Sequence, residues 1–382
     1  MIRVPVNPEI VCWARERAGV AQEDLAVKFK KLPEWESGAV QPTLKQMEAF
    51  ARVVHVPFGY LFLSEPPDER LPIADFRTVS DSAKAKASPD LIDTLYAMQR
   101  RQAWLREYLI ENEAEPLAFA ASARLADDPD AVGREMRRTL GLDDGWAAGV
   151  STWQDAVNEL RRMIEQLGVM AVINGVVGNN THRRLSVGEF RSFALTDRYA
   201  PLIFVNGADA KSAQMFTLAH ELAHVWLGEE GLSGFENLLP GGTDVEDWCN
   251  RAAAELLVPS QELHKLWIQV RRGQRPFEAV ARSFKVSPVV AARRAMDLNL
   301  VGRSAFFDFY ERYINREKRG GTKPTGGDFY NNQNARVGKL FANYVMRAAM
   351  EGQIGFREAY QLTGLRGGTF QDYADRLNIG LP

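Results

Sequence analysis

The chain has 382 residues, of which 46% are hydrophobic and 25% charged, with two cysteines and a formal net charge of −2. That length exceeds one small core and predicts roughly two to four domains, while the balance of residues excludes disordered, fibrous and disulfide-stapled classes. The charge is uneven, at about −1 over residues 1–80, about −10 over 81–259 and about +9 over 260–382.

Cys12 and Cys249 lie far apart and form no spaced framework, so a reducing, cytoplasmic setting is expected. The longest apolar stretch, GVMAVINGVVG from Gly168, is too short to span a bilayer. MIRVPVNPEI lacks the apolar core of a signal peptide. A soluble protein with no membrane partner is expected.

Asn7 and Pro8 supply an N-cap and a first-turn proline for a helix that stops at Gly19. Gln22 to Phe29 reads as a second short helix, and TLKQMEAFARVV from Thr43 as a longer one before PFGYLFL. With Trp35, Glu36 and Gly38 closing the middle segment, residues 7–64 resemble the helix-turn-helix domain of the Xre repressor family. One departure matters: Leu25-Ala26 reaches Glu36 across about nine residues where those repressors have roughly thirteen, so most of the base-reading helix is missing. Two readings stay open here, DNA binding and a structural or partner-binding cap.

EPPDERLPIADFRT from Glu65 is rich in proline and charge and reads as a linker. Residues 88–166 then read as helices, including PDLIDTLYAMQRRQAWLREYLIENE and TWQDAVNELRRMIEQLG, interrupted by LGLDDGWAAG. From Val169 the period changes to short apolar or alternating runs, VMAVING, EFRSFALTD and PLIFVNG, which predict strands.

FTLAHELAHVWL, residues 216–227, follows that sheet. Two imidazoles four positions apart project from one face of a helix, so His220 and His224 can reach one ion, and Glu221 can hold a water on it as general base. Zinc in hydrolytic sites takes three protein ligands and keeps a fourth position for water, which requires one more ligand. DVEDWCNRAAAELLVP from Asp244 offers it: Glu246 is the candidate, with Asp247 as alternative, and Cys249, one turn on from Glu246, reads as a small buried packing residue with a redox-sensitive ligand as its second reading. PLIFVNG, ending shortly before the helix, is expected to be the edge along which a substrate backbone lies extended. Leu218, Leu222, Val225 and Leu227 are expected to form the packing face of an amphipathic helix. His182, Tyr199 or an arginine of THRR are candidates for stabilising an oxyanion, and His55 and His264 read as structural or surface residues.

The run from EFRSFALTD through FTLAHELAHVWLG to EDWCNRAAAELLVP resembles the ImmA/IrrE family of zinc peptidases, closely over residues 160–302. Glu246, Asn250, Ala253, Ala254, Leu256, Leu257 and Pro259 fall in that family's pattern, with Ala223 for its usual glycine and Cys249 for its usual alanine. The N-terminal helices, Asp75-Phe76-Arg77 and a basic C-terminus also resemble its longer members. The resemblance implies Zn2+, with His220, His224 and Glu246 as ligands and Glu221 as base. It further implies hydrolysis of a peptide bond in a regulatory protein such as a transcriptional repressor, in a stress response or in a mobile-element or toxin-antitoxin module.

Beyond Pro259 the chain is helical again. FEAVARSFKVSPVVAARRAMDLNLV from Phe277 and FREAYQLTGLRGGTFQDYADRL from Phe356 look like further helix-turn-helix pairs, with EKRGGTKPTGGDF, residues 317–329, as an irregular connector. This basic region keeps a competing reading open: a DNA-binding regulator or antitoxin-like protein whose zinc site is structural or sensory, with Arg293 and Arg294 as its first DNA-contact candidates. The expected fold is α+β and mostly helical, a small-sheet zincin-like metallopeptidase domain flanked by helix-turn-helix-like domains. The expected boundaries are 1–70 for the Xre-like domain, 71–159 for a helical connecting region, 160–265 for the zinc domain, 266–302 for a second helix-turn-helix-like segment and 303–382 for the basic helical region.

Overall fold

A computed structural model describes residues 3–69, 71, 73, 87–233, 243–317 and 334–377. Asp75-Phe76-Arg77, residues 318–329 of the expected connector and residues 234–242 lie outside them. The chain divides into two compact units, one within 1–72 and 83–93, the other within 73–82 and 94–382.

The first unit holds α1 (Pro8–Arg17), α2 (Gln22–Lys28), α3 (Leu32–Glu36) and α4 (Leu44–Val54). Local chemistry sets the ends. Asn7 accepts the Glu9 N–H at 3.0 Å, and Thr43 and Gln46 form a reciprocal capping box at the start of α4. Ile10, Ala14, Leu25, Trp35 and Phe50 are buried together, with the Trp35 and Phe50 rings edge to face at 6.3 Å. α3 is five residues long, and its Glu36 is held by Arg15 at 2.6 Å and Gln22 at 2.5 Å. That side of the helix is therefore committed to internal contacts.

The second unit is α+β and mostly helical. After α5 (Pro89–Glu111), α6 (Pro129–Thr139) and α7 (Trp153–Gln166) come β1 (Met170–Asn174), β2 (Val176–Val177), β3 (Asn180–Arg184), β4 (Ser192–Leu195) and β5 (Leu202–Asn206). Then follow α8 (Lys211–Leu227), β6 (Gly231–Ser233) and α9 (Asp244–Leu257). The four-stranded sheet has the order β1-β5-β4-β6, with β1 and β5 parallel and the other pairs antiparallel; β2 and β3 form a separate hairpin. The register sets Phe193 opposite Phe204, and their rings stack at 4.9 Å.

Two expectations are corrected by this arrangement. PLIFVNG is β5, and it is hydrogen-bonded to β1 on one side and β4 on the other, so its backbone groups are used up. Among the described residues the outer strands are β1 and β6, the latter a strand of three residues too short to carry an alternating pattern. Nor does α8 have a polar face. It packs against β4 and β5, α7 and α9, and every residue from Gln214 to Trp226 is buried.

Beyond the sheet the described residues hold α10 (Ser260–Val270), α11 (Pro276–Phe284), α12 (Pro288–Asp297), α13 (Arg303–Glu317) and α14 (Lys339–Met350). Two shorter ones, α15 (Phe356–Thr363) and α16 (Gly368–Arg376), end the described chain. Lys285 turns α11 into α12 with φ +53°, the left-handed conformation in which glycine is commoner. Phe277, Val280, Val290 and Ala291 of this helix pair enter the same core as Leu222 of α8 and Ala253 of α9. The segment leading into α14 is held by buried cations: Arg161 of α7 donates to the Asn334 carbonyl at 2.7 Å, and Arg101 of α5 to that of Arg336 at 2.9 Å. Among the described residues no helix is long and apolar enough to cross a membrane.

Candidate metal centre

α8 carries His220 and His224 one turn apart with Glu221 next to His220, and α9 packs on it so that Glu246, in the first turn of α9, meets both imidazoles. Thr243 caps α9 by accepting the Glu246 N–H at 3.3 Å, which fixes where that turn begins. Glu246 Oε2 stands 3.2 Å from His220 Nε2, and Glu246 Oε1 3.4 Å from His224 Nε2. The three ligand atoms lie within 4.8 Å of one another, and all three residues are buried. Asp247 and Cys249 are not part of this group. Cys249 is fully buried, and burial pushes its thiol well above its ordinary value, as suits a packing residue.

The hydrogen bonding around the imidazoles fits a cation. His224 Nδ1 lies 3.2 Å from the Glu229 carbonyl, which can only accept, so Nδ1 carries the proton and Nε2 presents its lone pair. That lone pair faces His220 Nε2 at 3.2 Å and the Glu246 carboxylate. Acceptors converging on one point are satisfied by a positive ion, and two neutral imidazoles with one carboxylate form a set that zinc takes in hydrolytic sites. Burial opposes charge on Glu246, and positive charge beside it, whether a protonated His220 or His224 or a cation held between them, keeps its carboxyl far below the usual range. It is an anion at neutral pH.

Glu221 is 0% exposed. Burial pushes it up to about 7, with His224 and the hydroxyls of Ser192 and Ser233 acting in the other direction. Ser192, the first residue of β4, donates to Glu221 Oε1 at 2.6 Å. Ser233, the last residue of β6, has its hydroxyl 3.5 Å from His220 Nε2. Neither serine was singled out in the sequence, where each is one polar residue in a short apolar run.

Beside His220 opens a pocket of about 90 Å³. His182, Tyr199, Arg183 and Arg184, the sequence candidates for stabilising an oxyanion, do not line it; Asn250, Tyr310 and Tyr313 do. His182 is exposed on β3, and the Tyr199 N–H is bound to Asp197 in the turn before β5. His55 sits in the left-handed turn that ends α4, and His264 is exposed with Nδ1 donating to the Ser260 carbonyl at 2.6 Å. Arg294 lies at 2% exposure, too deep to meet a phosphate, and is paired with Glu255 and Asp130. Arg293 pairs with Asp297 at 2.9 Å.

Residues 337–376, holding α14 to α16, match the family model of a domain of unknown function, DUF8813. No curated protein matches the chain. Residues 165–296, which hold the whole sheet, α8 and α9, match the model of the IrrE N-terminal-like domain, Peptidase_M78, so the segment that builds the metal centre is similar to the ImmA/IrrE peptidases and supports a function of metallopeptidase type.

Proposed function

We propose that the protein is a zinc-dependent endopeptidase that regulates by cutting a specific protein such as a transcriptional repressor, in a stress response or a mobile-element or toxin-antitoxin module. The observation that carries this reading is the convergence of His220, His224 and Glu246 within 4.8 Å, with Glu221 on the same helix. When bound, zinc supplies a Lewis acid that polarises the scissile carbonyl and brings the pKa of water towards neutrality. Glu221 accepts the proton of the attacking water and passes it to the leaving amine. Ser192 holds that carboxylate in place, and the Glu229 carbonyl fixes the tautomer and plane of His224.

The charge of about −10 on residues 81–259 suits a basic target segment, such as the linker of a DNA-binding repressor. The competing reading, a DNA-binding regulator, relies first on Arg293 and Arg294; Arg294 is buried against Glu255, and Arg293 is half-buried in an i,i+4 pair with Asp297.

The experiment compares wild type with Glu221→Gln, zinc loaded in both, against repressors encoded by neighbouring genes. A single defined cut made by the wild type and lost in the variant supports the peptidase. An equal cut by both, or cellular function unaffected by the substitution, overturns it.

A further inference from the structure

We infer that the pocket beside His220 is a subsite for an apolar substrate side chain of middle size, on a residue flanking the bond that is cut. The assignment rests on the peptidase reading and adds the class of side chain it accepts.

The apolar walls come from three helices, beside polar lining that includes Thr217, Asn250, Tyr310 and Tyr313. α8 contributes Ala213 and Phe216, α12 contributes Val289 and Val290, and α13 contributes Ile314. At its inner end the pocket meets His220 and the two serines that bond to Glu221, so whatever fills it lies against the proposed reaction centre. Its charged lining, Arg191 and Asp209, is paired internally at 3.3 Å. A charged substrate side chain would therefore lose water and meet a pair already neutralised, which disfavours it. An apolar side chain loses nothing polar and gains contact on several sides.

Size narrows the class. An engineered cavity of about 150 Å³ holds benzene, so a pocket of about 90 Å³ suits valine, leucine or methionine better than tryptophan. The same geometry gives the α11–α12 pair a role. Its second helix begins at the pocket, with Ser287, Val289 and Val290 on the lining, and its basic Arg294 is turned into the protein. The helix pair that resembles a DNA reader in sequence serves here as a wall of the cleft.

Amino-acid hydroxamates test this without a known substrate, because the hydroxamate binds the metal and the side chain samples the adjoining space. Affinities of acetohydroxamate and of glycine, leucine, phenylalanine, aspartate and lysine hydroxamates are measured by calorimetry on the zinc-loaded full-length protein. Each buried methylene is worth about four-fold in affinity, so leucine hydroxamate should bind on the order of ten-fold or more tighter than glycine hydroxamate. Aspartate and lysine hydroxamates should gain nothing over glycine. Ala213→Leu, which fills the pocket from the partly exposed start of α8, should bring leucine to within about two-fold of glycine. Ile314→Ala, which removes atoms and keeps the test open should the first variant not fold, should favour phenylalanine hydroxamate. Equal affinities across the series, or tighter binding of a charged member, overturn the subsite while acetohydroxamate binding leaves the peptidase reading standing. Failure of acetohydroxamate to bind the zinc-loaded protein overturns both.

Discussion

The hydroxyl of Ser192, on β4, donates to Oε1 of Glu221, on α8, at 2.6 Å, and so ties the proposed base to the sheet beneath it. Both groups are buried, at 1% and 0% exposure, so removing the hydroxyl takes a donor from a carboxylate that has few others. Ser192→Ala should lower kcat/KM by roughly ten- to a hundred-fold, the equivalent of about 1–3 kcal/mol, while zinc stoichiometry stays at that of the wild type. Parallel metal analysis and kinetics on one preparation check it. A variant that lost zinc in proportion to activity would place the serine among the supports of the metal instead.

Arg294 is the cation of a buried network. It bonds to Glu255, to Asp130 at 3.1 Å and to the Val258 carbonyl at 3.2 Å, linking α12 to α9 and α6. Burial raises the pKa of Glu255, and Arg294 is the strongest influence opposing that rise. Arg294→Ala leaves a carboxylate of 1% exposure without its main counter-ion and should destabilise by about 3–5 kcal/mol in denaturant unfolding at pH 7. The loss should shrink at pH 5, where Glu255 can neutralise itself by taking a proton. Replacing both partners by apolar residues, Glu255→Leu with Arg294→Met, should recover most of it.

Arg294 marks a limit on what local sequence pattern carries. His220, His224 and Glu246 are legible because one helix has an i, i+4 period and the next helix in the chain carries the acid near its start. The strands of the sheet are legible as runs, but their order is not. That β5 is central and β6 is an edge depends on pairings between segments far apart in the chain. Ser192 has no local signal, since its partner lies 29 residues away. Arg294 reads as a surface base because most arginines are exposed, and only the packing of α12 on α9 turns it inward. Tyr310 and Tyr313 reach the pocket from α13, about ninety residues beyond His220, where no periodicity links them to it.

Glu165 makes folding stability depend on pH. It lies at 7% exposure at the end of α7, where burial pushes its carboxyl from 4.5 up to about 7 against the pull of Arg161 and the backbone N–H groups of Leu340 and Lys339. Below pH 4.5 the group is protonated in both folded and unfolded chains, and its contribution is fully present. As pH rises to about 7 the unfolded chain ionises first, so stability falls; above that the loss is complete. The full drop is on the order of 3 kcal/mol. Glu165→Gln cannot ionise and should show a flatter profile, gaining on the wild type as pH goes from 4.5 to 8. Urea unfolding at a series of pH values measures it, and parallel profiles would contradict the assignment.

At Gly133, α6 packs directly against the backbone of α9. A Cβ at this position would stand 2.5 Å from the Ala252 carbonyl oxygen and 2.9 Å from the Glu255 Cβ. Alanine favours helix over glycine by about 1 kcal/mol, but it meets a backbone oxygen that cannot rotate away, so the clash outweighs the propensity. Gly133→Ala should therefore destabilise by about 1–3 kcal/mol, whereas Gly149→Ala, with nothing within 4 Å, should be near neutral. The effect should reach the metal centre, because α9 also carries Glu246 and pushing it away lengthens the approach to His220 and His224. Zinc affinity, measured by competition with a chelator, should fall in Gly133→Ala and stay unchanged in Gly149→Ala. A destabilised Gly133→Ala with wild-type affinity would mean that α9 yields at Ala252 without moving its first turn.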